Sequence, residues 1–188
     1  MSARRPHLLG IDDAPFDKGQ SEPVPIVAVT MEGPDLVEGV ALARFPVDGE
    51  GATEFLRDWV RGLRAYPSLQ GVILGGITLA GLAVVDAEAL AAGLERPVLV
   101  VTRRAPSDAD LVAALRAAGF PERVALVERA PRARSLDAGL HLASAGTGHD
   151  RAEELIRATL GKAQLPEPLR VAHLVGAALV KGESRGRV

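Results

Sequence analysis

Val24-Pro25-Ile26-Val27-Ala28-Val29-Thr30-Met31, then Glu32-Gly33-Pro34-Asp35, then the run from Leu36 to Phe45, form the stretch on which the fold turns. Two strand-like runs separated by a turn-rich connector predict an antiparallel hairpin. The alternation in Leu36–Phe45 is imperfect, so the ends of that strand are soft. Upstream, the apolar run His7–Ile11 reads as a strand stopped by Asp12-Asp13-Ala14-Pro15-Phe16, and residues 17–23 form a polar loop. Downstream the period changes. Thr53 to Tyr66 places Phe55, Trp59, Val60 and Leu63 on one face of a helix that Pro67 ends. Gly71–Leu74 reads as a short buried strand, followed by the glycine-rich run Gly75–Gly81. A helix over Asp86–Leu94 follows, with Asp86 as its N-cap, and then Pro97–Thr102, the clearest central strand. Ser107 caps a helix reaching about Ala118, with Asp110 three residues on. Arg123–Val127 and Leu140–Ala143 read as further strands around an irregular stretch at 130–138. Helices over about Asp150–Leu160 and Glu167–Val180 close the chain. Early hairpin strands followed by alternating helices and strands predict a mixed α/β sheet covered by helices.

The 188 residues suit one domain with a full core, spanning 1–188, with a basic tail at 182–188. The chain is 47% hydrophobic and 24% charged, a globular composition. No apolar run reaches the roughly 18 residues a membrane helix needs, and no secretory signal is evident, so the expected location is cytoplasmic. The absence of cysteine excludes disulfides, thiolate metal sites and a cysteine nucleophile. His7, His141, His149 and His173 lack zinc-type spacing, so a metal site is expected to use mainly oxygen ligands, which favours Mg2+ or Mn2+. The net charge of −2 divides unevenly: −7 over residues 1–95 and +5 over residues 96–188. An acidic cluster opposed by a basic half suits a cation-dependent site acting on a polyanion, although scattered charge gives the same totals.

Ligands of such sheets gather beyond the carboxyl ends of parallel strands. Asp12-Asp13, Gly75-Gly76 and Arg103-Arg104 all follow expected strand ends and are therefore placed on one rim. Side chains alternate along a strand, so only one of Asp12 and Asp13 faces a given side. Carboxylates there would bind a hard cation; an Asx-turn before Pro15 is the alternative reading. Val47-Asp48-Gly49-Glu50-Gly51 is a second acidic turn, suited equally to cation binding and to helix capping. His173, in an apolar helical run, is either a ligand or a packed or surface residue. Gly75–Gly81 lacks the Lys-Ser/Thr of a phosphate-binding loop, and no Gly-x-Ser-x-Gly elbow occurs.

Taken in order, Gly10-Ile11-Asp12-Asp13-Ala14-Pro15-Phe16, Val47-Asp48-Gly49, Gly76-Ile77-Thr78-Leu79-Ala80-Gly81, Val84-Val85-Asp86, Pro166-Glu167-Pro168-Leu169-Arg170-Val171-Ala172-His173 and Gly182-Glu183-Ser184-Arg185-Gly186-Arg187 resemble the motifs of the largely archaeal endonuclease dU family. The resemblance runs from about residue 7 to residue 187. It implies an endonuclease-V-like version of the ribonuclease-H-like fold, with three antiparallel strands, a helix, and parallel strands alternating with helices. It also implies hydrolysis of DNA carrying deaminated bases, deoxyuridine in particular, with Mg2+ or Mn2+. Asp12, Asp13 and Asp48 would then be catalytic acids and metal ligands, with Glu50 as a further ligand and His173 in support. Arg170, Glu183, Ser184 and Arg185 would contact the substrate. The family usually reads Leu-Asp-Gly-Ile-Thr where this chain reads Leu74-Gly75-Gly76-Ile77-Thr78, so an expected acid is missing at 75. Its usual second acid after Val47-Asp48-Gly49 falls where Gly51 stands, with Glu50 one place early. The competing expectation is a non-catalytic nucleic-acid-binding or scaffold protein.

Overall fold

A computed structural model of the protein describes residues 5–136 and 139–185. In chain order the elements are β1 (His7–Asp13), β2 (Val24–Glu32), β3 (Leu36–Phe45), α1 (Ala52–Gly62), β4 (Gly71–Leu74), β5 (Thr78–Leu79) and β6 (Ala83–Val84). They continue with α2 (Ala87–Leu94), β7 (Val98–Thr102), α3 (Asp108–Ala117), α4 (Val124–Glu128), β8 (Arg134–Ser135), β9 (His141–Ala145), α5 (His149–Arg157) and α6 (Glu167–Lys181). Seven strands form one sheet in the order β3-β2-β1-β4-β7-β9-β8. β1, β2 and β3 pair antiparallel, while β4 and β7 run parallel to β1. This is the mixed α/β architecture expected from the sequence.

Strand alternation divides the core between two faces. Leu9 and Ile11 of β1, Val72 and Leu74 of β4, and Val98 and Val100 of β7 point toward Leu56 and Val60 of α1 and Leu90 and Leu94 of α2. The intervening Leu8, Ile73, Leu99 and Val101 point the other way, toward Leu155 and Ile156 of α5 and Leu169 of α6. Val27, Val29 and Met31 of β2 continue that second face beneath Ala172. α6 lies so close to β1 that a Cβ at Gly10 would stand 2.3 Å from the Pro168 carbonyl carbon. A Cβ at Gly176 would stand 3.1 Å from Ala14 Cα. These two glycines bracket the helix on the end of β1.

The capping expectations hold: Asp86 accepts from the Ala89 N–H at 3.0 Å, and Ser107 from the Asp110 N–H at 3.2 Å. Two readings are corrected. Arg123–Val127 is not a strand: a 3-10 turn at Pro121–Arg123 leads into α4, and Val124 and Val127, three apart on one helical face, pack with Leu115. The short apolar run fitted either period. The first helix stops at Gly62, well before Pro67, and Leu63 turns extended. β9 runs antiparallel to β7. α3 and α4 pack on Val84, Ile77 and Leu82 in a satellite core instead of covering the sheet as a crossover, so β9 returns in the opposite direction. Residues 186–188 of the expected basic tail lie outside the described residues. Among the described residues no helix is long and apolar enough to cross a membrane.

Candidate functional site

β1 delivers Asp12 and Asp13 to the carboxyl end of the sheet on opposite faces. Asp12 shares the parity of Leu8 and meets α6: its Oδ2 lies 2.9 Å from Nδ1 of His173. The bracket formed by Gly10 against Pro168 and Ala14 against Gly176 sets that helix in place, so His173 is positioned by backbone packing. The bonded Asp12 carboxylate pushes the His173 imidazole above its ordinary 6.5; partial burial and the charge of Arg103 act against this. Asp13 shares the parity of Ile11 and faces the α1 side, where its Oδ2 accepts from the Ala80 N–H at 2.7 Å. Burial, followed by the neighbouring Asp12 charge, raises Asp13 above its ordinary 3.8.

Asp48 reaches the same loop. Its N–H donates to the Ala80 carbonyl at 2.9 Å, and its Oδ1 accepts from the Leu82 N–H at 2.7 Å. Asp13 and Asp48 therefore hold the segment Ala80–Leu82 from both sides. The buried Arg123 locks the arrangement by donating to the carbonyls of Asp48 and Leu82, each at 2.8 Å. Asp48 itself takes φ 52, and a Cβ at Gly81 (φ +104) would lie 2.3 Å from Asp48 Oδ1. Only glycine fits there. Glu50 is exposed on the turn before α1.

The Asp12 side opens into a cleft of ≈ 660 Å³ lined by Asp12, Gly75, Arg103, Arg104, Arg170 and His173, with Arg185 contributed by the segment after α6. The three strand ends placed on one rim by their sequence positions therefore meet. Arg170 is already engaged: its Nε and Nη2 donate to Glu167 at 2.6–3.0 Å. Glu183 forms an exposed 3.3 Å ion pair with Arg185, and Ser184 lies between them. A smaller cleft of ≈ 160 Å³ on the other side of the rim is bounded by Asp12, Asp13, Gly76 and Thr78. Arg103 and Arg104, placed on the rim by their sequence position but given no role there, line the cleft, whereas Arg123 was not singled out from the sequence. The first two carried the signal of an Arg pair after a strand, whereas Arg123 carried none.

The donor set at the rim suits a hard cation in one respect. Two adjacent carboxylates repel one another; Asp12 engages His173 through Oδ2 alone, whereas Asp13 accepts from the Ala80 N–H and from its own N–H. Magnesium commonly takes one or two carboxylates and completes its shell with water and phosphate oxygens. Among the described residues, the one group of three or more metal-type side chains with ligand atoms within 4.8 Å of one another lies elsewhere: His7, Glu32 and Glu38.

Comparison with known proteins gives a consistent result. A UPF0215 protein of Methanothermobacter thermautotrophicus is 36% identical over 183 residues, covering 95% of this chain and 90% of its own. One from Methanosarcina acetivorans is likewise 36% identical, over 96% of this chain and 93% of its own. A crystal structure of a protein of unknown function from Archaeoglobus fulgidus superposes with a TM-score of 0.85 at 32% identity, covering 93% of this chain and 98% of its own. Endonuclease V of Ciona intestinalis, solved with DNA containing an inosine, superposes with a TM-score of 0.62 at 15% identity, over 97% of this chain and 88% of its own. That likeness establishes the ribonuclease-H-like fold. The sequence profile of Endonuclease dU matches residues 4–180, and the chain belongs to that family.

Proposed function

We propose that the protein is a divalent-metal-dependent endonuclease acting on DNA that carries deaminated bases such as deoxyuridine, with Mg2+ or Mn2+ held by Asp12 and Asp13. The observation that carries this reading is the Asp12–His173 pair at the mouth of a cleft lined by four arginines. Membership of the endonuclease dU family and the nuclease-type fold support it. Hydrolysis adds water across one P–O bond of the backbone. A cation at the rim would supply Lewis acidity toward a phosphoryl oxygen and a more acidic bound water. The chain's own groups do the rest. Arg103, Arg104 and Arg185 offer guanidinium groups to backbone phosphates, with Arg170 steadied by Glu167. His173 commits Nδ1 to Asp12, so proton exchange with the cleft falls to Nε2. Asp48 enters as the brace of the loop that receives Asp13. Incubation with uracil-containing and unmodified duplexes in Mg2+ and Mn2+ tests the reading. Metal-dependent nicking of the uracil duplex, abolished by Asp12→Asn, is expected. No nicking of either substrate at high protein concentration rejects catalysis.

Gly75 favours a second reading, DNA binding without cleavage. A Cβ there would stand 3.7 Å from Asp12 Oδ1 with no closer neighbour, so a carboxylate would fit beside Asp12, where the family usually has one. Gly75→Asp separates the two readings. If it confers nicking on an inert protein, the scaffold is intact and only the acid was missing. If the natural chain already nicks DNA, the second reading falls.

A further inference from the structure

We propose a second metal site, at the opposite end of the sheet, in which His7, Glu32 and Glu38 bind a transition-type divalent cation such as Zn2+. The site is independent of the nuclease reading and lies about 17 Å from Asp12, five residues back along β1. The three side chains come from β1, β2 and β3, and one ligand atom from each lies within 4.8 Å of the others. His7 pairs directly with Glu32 in the β1–β2 ladder, so both side chains leave the same face.

Glu38 reaches the group through an irregularity in the hairpin. Thr30 pairs with Gly39 and Met31 with Val37, which leaves Glu38 as an extra residue on β3. Such bulges re-aim a side chain. Here the re-aimed carboxylate lands with Oε2 2.7 Å from His7 Nδ1. The His7 backbone is fixed as well, its N–H donating to Gln70 Oε1 at 3.1 Å. All three ligands thus stand on paired strands. Arg5, next to the turn at Gly33, is already paired with Asp35.

Two carboxylates and a neutral imidazole present a net charge of −2, which a dication neutralises with no other counter-ion. Tetrahedral Zn2+ with bonds near 2 Å sets its ligands about 3.3 Å apart, which small rotamer changes from the present spacing reach. An imidazole ligand selects Zn2+ over Mg2+. Three protein ligands leave a position for water, and the bound ion would fasten edge strand β3 to β1 across β2.

The full chain is titrated with ZnCl2 by calorimetry and by thermal unfolding, with Glu38→Gln, His7→Gln and Asp12→Asn alongside. Loss of a mere outer-shell partner costs about 10–100-fold in metal affinity. Accordingly, one Zn2+ per chain with a rise in Tm is expected, with binding weakened at least about tenfold by Glu38→Gln and by His7→Gln. Asp12→Asn should bind as the natural chain does. Proton NMR of the natural chain supplies a check that needs no variant: the His7 ring resonances should shift on adding Zn2+ and stay in place on adding Mg2+. Absence of Zn2+ binding, binding unchanged in both variants, or binding lost only in Asp12→Asn overturns the proposal.

Discussion

At position 13, burial and the Asp12 charge hold the carboxyl above 3.8, against hydrogen bonds from the Ala80 and Asp13 N–H groups and the charge of His173. The native chain therefore binds more protons than the unfolded chain between the two pKa values, and stability falls as pH rises through that window. The penalty is complete above the folded pKa and relieved below it. Asp13→Asn keeps an acceptor for the Ala80 N–H and removes the charge. Its Tm should exceed that of the natural chain at pH 8, by about 2–4 °C for each kcal/mol relieved, and the difference should shrink as pH is lowered. An unchanged or lower Tm at pH 8 contradicts this. Such a residue, costly to the fold yet placed at the rim, is what a cation-binding role would maintain. His173 is also raised, so its pH dependence runs the same way, although here the shift reflects a stabilising bond and not a burial penalty. Its bond to Asp12 contributes fully below 6.5 and is lost as pH rises through the raised folded value. With 62% of the side chain exposed, screening keeps the stability effect small, so the sensitive readout is the ring's NMR titration. Asp12→Asn should lower the His173 midpoint toward 6.5; a midpoint that does not move shows that Asp12 is not its main partner.

α6 shows how an element places a site. Its first turn rests on the backbone of β1 at Gly10, and its middle rests on Ala14 through Gly176. Gly10→Ala would drive a methyl group into the Pro168–Leu169 backbone at 2.3–2.5 Å, where no side chain is free to yield. Overpacking of this kind costs about 3 kcal/mol at the upper end of its usual range. Gly176→Ala, at 3.1 Å, requires a smaller shift. Chemical denaturation should show a clearly larger loss for Gly10→Ala, together with displacement of His173; equal losses would mean that α6 is free to slide. The sequence carried neither contact. His7–Ile11 and Gly71–Leu74 were readable as strands because burial on both faces makes them continuous apolar runs, but which face Leu8, Leu9, Val72 or Ile73 takes was not. The direction of β9 was not readable, since it depends on α3 and α4 packing on Ile77, Leu82 and Val84 instead of the sheet. Asp12 and His173 are 161 residues apart, and no local pattern joins them; only the family motifs placed them together. The bulge at Glu38 appeared in the sequence merely as imperfect alternation in β3.

Over the whole molecule, the fold converts a charge difference along the chain into a charge pattern at one rim. Asp12 and Asp13 come from the acidic first half, whereas Arg103, Arg104, Arg170 and Arg185 come from the basic second half, and all but Asp13 line the larger cleft. A net charge of −2 would make DNA binding unexpected for a uniformly charged body. Concentrating guanidinium groups in one cleft makes local attraction possible despite that total. The strength of the attraction is readable from its salt dependence. Each phosphate neutralised on duplex DNA contributes about −0.9 to the slope of log K against log salt. Measured in EDTA on unmodified duplex, so that neither cleavage nor metal contributes, Arg103→Ala should lower the slope by about 0.9. Arg170→Ala should lower it by less, because its guanidinium is shared with Glu167 through three hydrogen bonds of 2.6–3.0 Å. Equal effects would mean that DNA binding breaks the Glu167 pair. No effect from either would place the DNA outside this cleft, and with it the catalytic reading of Asp12 and His173.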